Sequence, residues 1–251
     1  MPDPLSFHFG FWDVALVAAV SLQATSMAYL HHPKWKAVAL TLPIPFTVAT
    51  LALGERVDAT NAVGLIFFLL FAHGVRVLHY SARLPIVAAI VISAVGYCVA
   101  GTGLAQVLPK GALAFWSGIA AALCVALVFF FATRRRSEPG HRSALPVWIK
   151  LPAVAAVIVF LVLTKQFLRG FMTMFPMMGV IVAYEARHSL WTICGQIPVM
   201  VAAFVPMMIL LRVTHGLLSM GVGLALGWVA FLAVSMPLSY FLWFRGNVGE
   251  G

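Results

Sequence analysis

From Ala112 to Thr133 the chain carries no charged residue, and eight further stretches are nearly as bare. A helix needs roughly 20 apolar residues to cross a bilayer core about 30 Å thick, so runs of this kind leave few alternatives. A soluble globule would have to cover them with polar surface. With 63% hydrophobic and 9% charged residues among 251, the sequence lacks the material to do so. The runs are continuously apolar and show no period-two alternation, which excludes a membrane barrel. The expected fold is all-α, a polytopic transmembrane helix bundle of about nine spans.

In chain order the spans fall at Phe11 to Leu30, Ala37 to Leu53, Thr60 to Leu78, Leu84 to Leu108, Ala112 to Thr133, Val147 to Phe167, Phe171 to Ala186, Ser189 to Leu211 and Gly216 to Phe244. Gly96, Gly101 and Gly103 in the fourth, and Gly223 with Gly227 in the ninth, suit close helix contact. The long polar stretch from Arg134 to Pro146 separates an N-terminal unit with its linking fifth span, 1–133, from a C-terminal unit, 147–251, with a basic loop at 134–146. The N-terminus is acidic and aromatic instead of basic, so the first run reads as a span that is kept, not as a cleaved signal. The cysteines Cys98, Cys124 and Cys194 lie inside apolar runs without paired spacing and read as small core residues.

Sorting the loops alternately puts eleven of the 16 Lys and Arg residues on one side, among them Lys34, Lys36, Arg76, Lys150 and Arg187, and five on the other. The richer side should be cytoplasmic, with the N-terminus outside and the C-terminus inside. The excess of base over acid reads as positive-inside loops and contact with anionic lipid, not as nucleic-acid binding.

Two stretches depart from the plain apolar pattern. Phe171 to His188 and Ala39 to Arg56 are each broken by proline, at Pro176 and Pro45, and each closes on a carboxylate, Glu185 or Glu55. Inside the bilayer a proline frees backbone groups that need a partner, and a carboxylate near hydrocarbon faces a partner or a wet cavity. Sliding the chain by 131 residues aligns Pro45 with Pro176, Lys34 with Lys165, Ala52 with Ala183, Arg56 with Arg187, Gly64 with Gly195 and Ile66 with Ile197. Four spans before the fifth and four after it start the second unit from the opposite face, the 4+1+4 arrangement of an inverted repeat, in which matched broken helices mark the transport site. The proline start, short apolar run and terminal Glu also resemble the small GlpM-like membrane proteins, here twice over, around Leu42-Pro43 to Glu55 and Phe175-Pro176 to Glu185. That resemblance implies a polytopic helical protein of the bacterial inner membrane and no settled activity.

The candidate site residues are Glu185, Glu55, Pro45, Pro176, His73, Arg76, Arg187 and Gln196. Glu185 suits proton coupling or cation binding, or else is a loop residue neutralised by a cytoplasmic arginine; Arg187, two positions on, points away from it on one helix and does not easily pair with it, and Glu55, between Gly54 and Arg56, looks like a solvated turn. His73, Arg76 and His79 are spaced to share a helical face and could meet a phosphate or carboxylate, or serve at the headgroup level. Gln23, Gln166 and Gln196 suit interhelical hydrogen bonds, and the methionines between 172 and 208 suit deformable packing. Acids in or near spans are few, which starves metal-dependent diphosphate chemistry, and no nucleotide or hydrolase motif occurs. No metal and no cofactor is expected, and an enzyme is the less favoured class. The leading expectation is a secondary transporter or permease for a small solute or lipid headgroup, coupled to protons through Glu185. A non-catalytic membrane subunit that docks on a partner protein, or on copies of itself, comes second, and a metal-independent membrane enzyme third.

Overall fold

The computed structural model describes residues 10–109, 111–133, 138, 146–163, 171 and 173–244. Its regular elements are helices throughout: α1 Phe11–Ala28, α2 Pro33–Thr41, α3 Ile44–Leu53, α4 Ala59–Tyr80, α5 Ile86–Val107, α6 Ala112–Ala132, α7 Val147–Leu163, α8 Met177–Glu185, α9 Leu190–Thr214 and α10 Met220–Phe244. Seven stretches, counting α2 and α3 together, are long and apolar enough to cross a membrane. The protein is therefore a multi-pass helical membrane protein. Two of the nine expected runs fall short among the described residues: the sixth is helical over Val147–Leu163, and the seventh has one nine-residue α-helix, Met177–Glu185. At about 1.5 Å per residue, α8 covers less than half of the hydrocarbon thickness.

Helix α9 is the centre of the bundle. It is flanked by α10, α6, α4 and α2, and most of its length is buried. Helices α5, α6 and α10 turn bare apolar faces outward, with Val99, Phe131 and Val229 among the exposed side chains, as lipid-facing helices do. Gly223 and Gly227 let α10 approach α9, where a Cβ would come within 3.0 Å of Thr214 and of Met207. The expectation for the fourth span is corrected in part. Gly96 and Gly103 face open space, so they mediate no helix contact. Cys124 is likewise exposed and not a core residue, whereas Cys194 is buried.

Helix ends follow local chemistry. Asp13, buried at 3%, accepts the Gly10 amide at 2.9 Å and holds the start of α1. Asp58 takes the Thr60 amide at 2.8 Å at the start of α4, while the Asn61 side chain returns a bond to the Asp58 amide. Gly54 ends α3 at φ 63°, a left-handed conformation that glycine adopts without steric cost. Helix α4 begins at Ala59 and α9 at Leu190, the same offset that aligns Pro45 with Pro176.

The alternating course of the helices gives the molecule two ends. The Lys150 end holds the starts of α2, α5 and α7 and the close of α8; the Lys34 ammonium reaches the Trp243 carbonyl there at 3.5 Å. The Arg212 end holds the close of α3 and the starts of α4 and α6, where the Arg212 guanidinium donates to the Val57 carbonyl at 2.8 Å and lies 4.4 Å from the Phe115 ring centroid.

Candidate functional site: a seam between two helix breaks

The first break separates α2 from α3 at Leu42-Pro43. Pro45 is not an interior kink, as the sequence suggested, but stands in the first turn of α3, where a missing N–H costs no ladder bond. Pro176 likewise precedes α8 as its cap. The carbonyls freed at the end of α2 are answered: Thr41 donates its hydroxyl to Val38 at 2.8 Å, and Gln23 of α1 donates its amide to Ala39 at 2.8 Å. On the α3 side, Thr47 bonds the Pro43 carbonyl at 2.7 Å and receives the Trp228 indole N–H of α10 at 2.8 Å.

Both breaks open onto one cavity of about 40 Å³, with Leu42, Pro43 and Pro45 on one wall and Thr173, Met174 and Phe175 on the other. Two smaller cavities continue it. One, of about 20 Å³, is reached past Leu40 and Phe68, which line both, and is bounded by Gly179, Ala183, Leu190 and Cys194. The other, of about 10 Å³, shares Thr173 with the middle cavity and is polar, lined by Thr50, Glu55, Arg56, Asp58 and Asn61. The three follow one seam along the broken pair, α4 and α8, with α9 closing the middle and inner cavities.

Each end of the seam is fastened differently. At the Arg212 end, Asn61 donates to the Thr173 hydroxyl at 2.7 Å, and both residues are buried. At the Lys150 end the fastening is ionic. The Lys150 ammonium lies 2.8 Å from the Glu185 carboxylate, with the two side chains 5% and 9% exposed. Lys36, 2% exposed, is the third charge of the group: Glu185 and Lys150 are the charges that act on it. Tyr29 at the end of α1 places its ring 5.6 Å from the Lys150 ammonium.

This geometry revises the candidate residues one by one. Glu185 is buried and paired with a lysine, Lys150, not with an arginine; Arg187, as its spacing implied, points elsewhere, bonding the Tyr184 carbonyl at 3.2 Å and packing over the Tyr184 ring. Glu55 is exposed in the turn after α3, as a solvated turn should be, and stands at the opposite end of the seam from Glu185. The two carboxylates share no cavity among those described.

His73, Arg76 and His79 each meet a different protein neighbour. His73 is buried with its ring 4.4 Å from that of Phe129, Arg76 lies 4.1 Å from the Trp191 ring, and the His79 Nδ1 is 2.9 Å from the Leu84 carbonyl. Gln196, fully buried, joins α9 to α10: its amide donates to Ser239 at 2.6 Å and its carbonyl receives the Trp243 indole at 2.9 Å. It is a structural residue. Gln196→Leu should lower stability by about 1–3 kcal/mol, since the Trp243 N–H loses its acceptor and the Ser239 hydroxyl loses its donor, and thermal unfolding in detergent measures this.

Sequence reasoning missed three residues. Lys36 and Lys150 read as loop cations because they lie within a turn or so of a span boundary. Glu138 reads as one more residue of the basic loop, yet it accepts the Trp191 amide at 3.2 Å and the Thr192 amide at 2.6 Å and so caps α9. The methionine reading holds for Met174, Met177, Met178, Met200, Met207 and Met208, all buried in the core. Met172, Lys110, Lys165, Gln166, Arg169, Arg142, Arg245 and the arginines at 134–136 lie outside the described residues.

No protein-family model, curated protein or solved structure matches the chain. Among the described residues no group of His, Cys, Asp or Glu is placed to hold a metal ion.

Proposed function

We propose that the protein is a secondary transporter or permease of the bacterial inner membrane, with its route along the seam between the two helix breaks. The observation that carries this reading is the series of three cavities sharing Thr173, Leu40 and Phe68. Half-length helices that meet at mid-depth are the usual construction of a transport site. The starts of α4 at Ala59 and α9 at Leu190, one pair at the offset of Pro45 and Pro176 on either side of α6, fit two inverted units, and the GlpM-like resemblance of each proline-started stretch belongs to the same reading.

The Lys150 end is the cytoplasmic end in this proposal, because it gathers the larger set of basic residues. Glu185 is the coupling group: a proton on it cancels the charge that holds Lys150, and α8 is then released from α7. The cavities as they stand hold about one water-sized body each, so the seam is closed and transport requires it to open to each side in turn.

Accessibility tests this without knowledge of the substrate. In a variant with Cys98, Cys124 and Cys194 replaced by alanine, Met178→Cys puts one thiol on the middle cavity. A membrane-impermeant maleimide should label it both in intact spheroplasts and in inverted vesicles. Labelling from neither side, or from one side alone, would overturn the transport reading in favour of a packed subunit.

A further inference from the structure

The polar cavity at the Arg212 end borders a hydroxyl that the protein leaves unanswered. Two other helical threonines settle theirs on their own helix: Thr47 bonds the Pro43 carbonyl at 2.7 Å and Thr214 the Leu210 carbonyl at 2.7 Å, each four residues back. Thr50, one turn after Thr47 on α3 and 3% exposed, does not. Its hydroxyl oxygen is buried and has no hydrogen-bond partner among the described residues. Burying such a group unmet is costly, and native structures supply a partner from protein or from water. Thr50 lines the cavity of about 10 Å³ together with Asp58 and Thr173.

Three properties of that cavity name its occupant. Its volume is room for about one water molecule, which excludes anything larger. Its charges cancel: Glu55 and Asp58 line it with Arg56, and the Arg212 guanidinium holds the carbonyl of Val57 on the same wall, so neither a cation nor an anion is favoured. Its wall is polar, whereas cavities that stay dry are apolar. The middle cavity is of the dry kind, with Thr173 the only polar residue on its wall. Thr173 borders both, so it stands where a wet mouth meets a dry interior. A water needs two to four polar partners, and the hydroxyls of Thr50 and Thr173 and the Asp58 carboxylate belong to residues that enclose a space no larger than the water itself.

We infer that this cavity binds one ordered water, which ties Thr50 of α3 to Asp58 and Thr173 and adds a second link to the Asn61 to Thr173 bond that closes the Arg212 end. A bridging water holds two groups nearly as well as a direct bond. The second half of the broken pair is thereby latched to α4 and to the segment that leads into α8, at the point where the seam would open outward. Thr50 is a positioning residue of that closure. The water stands on the cavity alone, and its part as a latch rests on the transport reading.

Three measurements on the full chain test this. Thr50→Val keeps the shape of the side chain and removes the hydroxyl. If the hydroxyl holds water, the melting temperature falls, by about 2–4 °C for one buried hydrogen bond in a chain of this length. A hydroxyl buried dry gives the opposite sign, because valine removes an unmet polar group. Radiolytic footprinting needs no substitution: an X-ray pulse makes hydroxyl radicals from bound water, so Val57, which lines the cavity and is 4% exposed, should be oxidised in the parent and at least threefold less in Thr50→Val. In the Met178→Cys protein without native cysteines, Thr50→Val should speed maleimide labelling from the Arg212 side at least threefold and leave the Lys150 side unchanged. A melting temperature at or above the parent's, or an unoxidised Val57, would overturn the inference, and labelling indifferent to Thr50→Val would overturn the latch. Oxidised Val57 in a protein labelled at Met178→Cys from neither side would remove the transport reading and leave the water.

Discussion

Glu185→Gln is expected to lower the unfolding free energy of the purified protein by roughly 3–5 kcal/mol, the cost of breaking a buried ion pair from one side. The reason is the company that Glu185 keeps. Its carboxylate is the counter-charge at 2.8 Å from Lys150 and acts on Lys36 as well, so glutamine leaves two buried ammonium groups facing a neutral amide. The double variant Lys150→Met with Glu185→Leu should recover much of the loss, since apolar side chains of similar volume often replace a buried pair at little cost. Recovery should be incomplete because Lys36 keeps its charge. Thermal unfolding in detergent reads both, and a Glu185→Gln protein that melts like the parent would mean that water screens the pair.

Gly64→Leu is the second large effect. A Cβ at Gly64 would lie 2.8 Å from the Met174 Cβ and 3.0 Å from its Cγ, so even alanine forces α4 away from the segment that leads into α8. Overpacking of this kind costs typically about 1–3 kcal/mol, and leucine belongs at the upper end or beyond. The contact lies next to the Asn61 to Thr173 bond, so the wedge also pries at the fastening of the Arg212 end. Gly195, which the repeat offset aligns with Gly64, has nothing within 4 Å of its would-be Cβ. Gly195→Ala should therefore be neutral, or stabilising by up to about 1 kcal/mol through helix propensity. Melting of the two alanine variants in parallel measures the contrast, and equal losses at both sites would count against the packing described.

What the sequence discloses here follows from the range over which each force acts. Hydrophobic runs report their own burial, so the all-α membrane fold and nearly every helix could be read from residues such as those of α6, which need no partner to be understood. The prolines were legible as breaks but not as helix starts. That distinction depends on where the preceding helix ends and on donors that come from elsewhere, Gln23 for Ala39 and Trp228 for Thr47. Glu185 was legible as anomalous because a carboxylate in an apolar run is costly wherever it points. Its partner was not: Lys150 is 35 positions away, and Arg187, two positions away, points to another side of the helix. Lys36 was hidden by the same logic, since a lysine near a span boundary ordinarily reaches for water.

The bond from Gln23 to Ala39 carries a consequence for motion. The gap between α2 and α3 is held from outside the broken pair, by the Gln23 amide of α1 and the Trp228 indole of α10. Interhelical bonds of this sort in membranes average about 0.6 kcal/mol, close to thermal energy. Whatever resistance the gap offers to bending is therefore set in part on α1 and α10, outside the two pieces it joins.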